Sequence, residues 1–155
     1  MYRILVSLIT AILVFSQATS AHEVKIPEAK KFFKKYIKMS HEYDGDLVNL
    51  YAKNAVIKRK LVYDNGKTEK IIIPTDKYKG KIKFYRFLAK LRGYKNNYFN
   101  LKFHKNKNNI KITGNRKSTT SEEVWPVYYV IGRNSSGKLK IVEEFTCTSS
   151  TFLVK

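Results

Sequence analysis

Residues 46–63, DLVNLYAKNAVIKRKLVY, change their period halfway along. Leu47, Leu50 and Tyr51 recur at helical spacing, whereas from Ala55 onward Ile57, Leu61 and Tyr63 fall on alternate positions, the mark of a strand with one buried face. Arg59 shares that apolar face, where a permanent cation needs an anion or water beside it. The stretch predicts a short second helix, capped by Asp44 or Asp46 and closed at Asn54, that passes directly into a strand running to Tyr63. Asp64-Asn65-Gly66 then supplies the positive backbone dihedrals of a tight hairpin, and Thr68 to Ile73 return as a second strand until Pro74.

Upstream, Pro27 suits a first helical turn, and Ala29, Phe32, Phe33, Tyr36 and Ile37 form an apolar stripe. Lys30, Lys31, Lys34, Lys35 and Lys38 lie opposite. Downstream, Ile82, Tyr85, Leu88 and Ala89, widened by Phe84, Phe87 and Leu91, predict a third helix that is the most deeply packed, with Gly93 as its stop. Four strands follow. Phe99, Leu101 and Phe103 alternate, NKNN turns the chain, Ile110 and Ile112 alternate again, and Gly114 marks a bulge or bend. Residues 124–133 and 138–148 complete the set around a turn at residues 134–137. The order ααββαββββ predicts an α+β fold, a cone of strongly curved antiparallel sheet with three helices packed on its concave side.

The first 21 of the 155 residues read as a leader. Arg3 precedes an uncharged apolar run from Ile4 to Phe15, and small residues up to Ala21 suit signal peptidase, which predicts a single mature domain over residues 22–155. The run is too short for a membrane-spanning helix, so none is expected after cleavage, and the expected location is periplasmic or secreted. Cys147 is the only cysteine, which excludes an internal disulfide. The formal charge of +19 falls to +18 without Arg3, and residues 77–121 hold fourteen Lys or Arg and no Asp or Glu. Such a balance either attracts polyanions or is merely compositional. Candidate contacts are Lys30, Lys31, Lys34 and Lys35 on the first helix and Lys79, Lys81, Lys83 and Arg86 on the third.

The element order and two stretches, LVNLYAKNAVIK and YKGKIKFYRFL, resemble the nuclear transport factor 2-like superfamily of cystatin-like fold, which includes ketosteroid isomerases and polyketide cyclases. The resemblance implies an apolar pocket inside the cone. In isomerase-type members it also implies a general-base Asp, with a Tyr and a protonated Asp aimed at the developing oxyanion. Tyr36 falls at the tyrosine position. Arg59 occupies the base position and Tyr129 lies near the second acid position, so the isomerase carboxylates are absent and no catalytic residue is assigned. Arg59 beside Tyr36 either holds an anionic ligand or sits at an open rim in water.

Glu143 alternates with Ile141 and Phe145, which places its carboxylate inward, within reach of Arg59 or another cation. Tyr36, Arg59, Tyr129 and Glu143 are the pocket candidates. His41, Glu42, Asp44 and Asp46 crowd one loop but read as helix-end caps, not metal ligands, and no cofactor is expected. No nucleophile triad, Gly-rich phosphate loop or paired-Cys zinc pattern appears. The leading expectation is an exported, non-enzymatic binding or assembly module of the cell envelope. The alternatives are a protein or enzyme using the cone pocket for a small ligand, and non-specific polyanion capture without base reading. Expected partners are a second copy through the open sheet face and an anionic envelope component.

Overall fold

A computed structural model describes residues 23–149; the leader expected over residues 1–21 and the last six residues lie outside them. Helix α1 (Ile26–His41) starts where the Lys25 N–H donates to Glu28 Oε2, at 3.0 Å. It buries Ala29, Phe32, Phe33, Tyr36 and Met39 and leaves Lys30, Lys31, Lys34 and Lys35 exposed, as the stripe predicts. Glu28 is also ion-paired to Arg133, which fastens the helix start to the sheet.

The second helix is shorter than expected, a 3₁₀ helix at Gly45–Leu50 capped by the Asp44 carboxylate, which accepts from the Asp46 N–H at 2.8 Å. Strand β1 (Tyr51–Val62) already begins at Tyr51, because Tyr51 joins the ladder opposite Ile141. Sheet pairing thus takes the residues that a marginal helix of nine would have used. β2 (Thr68–Ile73) follows the expected hairpin, with Gly66 at φ 79°.

Helix α2 (Thr75–Leu91) departs furthest from expectation. Only Thr75 and Tyr78 are buried, while Phe84, Phe87 and Leu91 are 74%, 66% and 67% exposed. It packs chiefly on β1 and the 3₁₀ helix. The helix stops as predicted at Gly93, whose φ is 60°.

Strands β3 (Asn96–Asn106), β4 (Asn109–Ser118), β5 (Val124–Arg133) and β6 (Leu139–Thr148) form a meander that returns to β1. The six-stranded order is β2-β1-β6-β5-β4-β3, open at both edges. The sheet is mixed and not wholly antiparallel: the returning β6 lies parallel to β1. That pairing joins strands far apart in the chain, which strand alternation does not specify. The α+β class stands.

Irregularities bend the sheet. In β3, Asn100 (φ 54°) and Leu101 both face Gly114, where an added Cβ would meet the Phe99 carbonyl at 2.9 Å. This is the bulge expected at Gly114, and it puts Tyr98, not Phe99, on the inner face. In β6, Val142 is an extra residue between the pairs Ile131–Ile141 and Val130–Glu143. A flat sheet would hold β1 and β3 roughly 19 Å apart, four strand spacings. Curvature brings residues of both around one interior, capped by α1 and α2.

Candidate functional site

The extra residue in β6 decides what faces the interior. Ile141 points in, and after Val142 the next inward residue is Glu144, which is 2% exposed. The expectation for Glu143 is therefore corrected. Glu143 lies on the opposite face, where it accepts from Lys58 Nζ at 2.6 Å and from the Tyr128 hydroxyl at 2.5 Å. Burial pushes its carboxyl up, but those hydrogen bonds outweigh it and hold the group below the usual range.

Arg59 is inside the cone and 3% exposed, so the open-rim alternative fails. Its Nη2 donates to Glu144 Oε1 at 2.5 Å and to the Tyr78 hydroxyl at 2.8 Å. Burial works against its charge, yet the facing carboxylate and phenols more than compensate, so it stays a cation. Tyr78 also donates to Glu144 Oε1, at 3.0 Å, and Tyr51 donates to Oε2. Three donors from β1 and α2 thus engage one carboxylate.

A chain of phenols leads away from it. Tyr51 and Tyr36 hydroxyls lie 3.3 Å apart, Tyr36 and Tyr129 3.4 Å, and Tyr129 and Tyr98 3.2 Å. A hydroxyl carries one proton. Tyr51 faces both Glu144 and Tyr36 as the donor, so its one proton serves either, and in the Tyr36–Tyr129 and Tyr129–Tyr98 contacts either hydroxyl can donate. Burial, and then neighbouring phenols and Glu144, hold Tyr36, Tyr51 and Tyr129 well above the ordinary tyrosine pKa of 10.0, so these groups remain protonated near neutrality. Phe33 packs against the same rings, stacked on Tyr36 at 5.6 Å.

These groups form one wall of a cavity of about 540 Å³, within the range of roughly 300–1,000 Å³ usual for small-molecule sites. Leu47, Ile82, Leu88, Ala89 and the tyrosine rings supply apolar lining. Towards the mouth stand Arg86, Arg92 and Arg116, with Asp44, Glu123 and Trp125. Asp44 and Glu123 are each tied to local donors. Arg116 is different. It is half-buried, donates to Asn96 Oδ1 and the Cys147 carbonyl at 3.3 Å each, makes no ion pair among the described residues, and leaves a buried Nε without a partner.

Of the residues singled out in the sequence, the structure gathers Tyr36, Arg59 and Tyr129 at this cavity and excludes Glu143. Glu144, Tyr51, Tyr78, Tyr98 and Arg116 are the additional members. Only the parity of Tyr98 and Arg116 relative to the Gly114 bulge could have pointed to them. The candidate lysines are spread out: Lys79 turns to the Tyr51 carbonyl in a shallower groove of about 860 Å³, while Arg86 borders the cavity. Lys53, Arg133 and Lys140 share that groove, but no buried polar network converges there.

No family model matches the chain, and no curated protein matches it. Solved structures do. A nuclear transport factor 2-like protein from Pseudomonas putida superposes with a TM-score of 0.60 at 9% identity over 78% of this chain and 84% of that one. A similar protein with a cystatin-like fold from Novosphingobium aromaticivorans gives 0.55 at 10% identity over 95% of both chains. A candidate ketosteroid isomerase from Shewanella frigidimarina gives 0.53 at 15% identity over 75% and 91%. Identities this low bear on architecture alone. Helix placement, meandering sheet and returning parallel strand together give this chain the nuclear transport factor 2-like, cystatin-like fold.

Proposed function

We propose that the protein binds a small amphipathic anion, its apolar body in the cone and its negative group on Arg116. The observation that carries this reading is the half-buried Arg116 guanidinium, which lacks a carboxylate partner among the described residues and stands in the wall of a cavity lined in part by Leu47, Ile82, Leu88 and Ala89. An uncompensated charge in such a place is costly, and a carboxylate or phosphate would relieve it with paired hydrogen bonds. Arg59, for which the sequence left an anion site as one of two alternatives, is less suited because Glu144 already neutralises it.

The same geometry favours binding over turnover. Glu144 approaches the first helix's phenol through Tyr51, as a catalyst would require, but three donors already occupy it. The reading keeps the non-enzymatic binding role expected from the sequence, and with it the export expected from the leader.

Calorimetric titration with dodecanoate, and with dodecanol as its uncharged analogue, tests the proposal. Saturable dodecanoate binding that weakens by about tenfold or more in Arg116→Met, and by less in Arg116→Lys, which keeps the charge but loses the paired donors, is the expected result. Equal affinity for both probes, or no change in Arg116→Met, would overturn it. Far-UV circular dichroism checks that each variant is folded.

A further inference from the structure

The solvent side of α2 is built for a surface. At 100° per residue, Tyr78, Ile82, Tyr85 and Ala89 share the face turned to the fold. Phe84, Phe87 and Leu91 fall together on the opposite face, each about two-thirds exposed or more. Large apolar groups aligned at i, i+3 and i+7 form a continuous ridge, unlike the scattered exposed residues normal to monomers. Exposed lysines border it, Lys77 on one flank and Lys83 and Lys90 on the other.

We infer that α2 is an interfacial helix that docks this protein on an anionic lipid surface. The occupant follows from the combination of groups. A second copy would set identical rows of lysine against each other in a chain of formal charge +19. A nucleic acid would answer the lysines but offers no hydrocarbon for Leu91. A bilayer carrying acidic headgroups meets both needs, since the aromatic and aliphatic ridge enters the headgroup boundary while the lysines stay at phosphate level. With lysines throughout its length, α2 lies along such a surface rather than crossing it. The inference does not depend on what the cone binds.

Vesicle co-sedimentation tests it. The full chain should pellet with phosphatidylcholine vesicles containing phosphatidylglycerol and stay in solution with phosphatidylcholine alone. The double variant Phe84→Ser/Phe87→Ser keeps every charge and alters only exposed side chains; its partitioning should fall by about tenfold or more. Lys83→Glu/Lys90→Glu should fall comparably, and most at low ionic strength. Wild-type protein that fails to pellet would overturn the inference, as would serine variants that bind undiminished. So would a wild-type dimer in sedimentation velocity that the serine variants convert to monomer, or a polynucleotide complex with the same dependence on Phe84 and Phe87.

Discussion

At the scale of single residues, the Arg59–Glu144 pair is the most sensitive point in the molecule. Both side chains are 3% exposed, so removing one strands the other without solvent. Arg59→Met or Glu144→Leu alone should lower stability by about 3–5 kcal/mol. The double variant, which removes both charges, should recover much of that loss. Urea unfolding midpoints across the four proteins would measure it, and a fully additive double variant would contradict the pairing. The sequence exposed half of this pair. Arg59 was legible because its position on an apolar alternation is fixed by β1's own register. Glu144 was not, because a single extra residue, Val142, shifts every inward position after it by one, and nothing in the letters around it announces the shift.

Individual elements were legible in proportion to how local their determinants are. Helix α1, the Asp64-Asn65-Gly66 hairpin and the Gly93 stop depend on a few adjacent residues and came out where the pattern put them. The second helix failed because Tyr51 finds its ladder partner ninety residues away in β6. For α2 the helix and its stop were legible, but Phe84, Phe87 and Leu91 do not widen the packed stripe: they lie on the opposite face and are exposed. The Gly114 bulge was anticipated and can be tested. An alanine there would press its methyl on the Phe99 carbonyl and on Leu101 Cδ2, at 2.9 and 2.8 Å before any relaxation. Gly114→Ala should cost about 1–3 kcal/mol, read from the thermal or urea midpoint. A neutral result would mean that β3 shifts freely at its bulge.

At the scale of the whole molecule, one cluster ties the fold together. Tyr36 from α1, Tyr51 from β1, Tyr78 from α2, Tyr98 from β3 and Tyr129 from β5 meet around the cavity, so none of these five elements can leave without disturbing it. Burial raises the phenol pKa of each of them in the folded protein. A phenol raised in this way contributes stability below its unfolded pKa of about 10 and surrenders it as the pH climbs towards the folded value. Absorbance at the phenolate band should therefore show these five ionising only as circular dichroism is lost. A single smooth titration with the fold intact would show the cluster to be open to water.

Trp125, the chain's one tryptophan, stands half-buried at the mouth of that cavity with its indole N–H on Glu123. Light absorbed by the clustered phenols can pass to this indole, whose emission colour reports how wet its surroundings are. The protein carries a built-in optical probe at its own doorway, readable without labels whenever something enters or leaves.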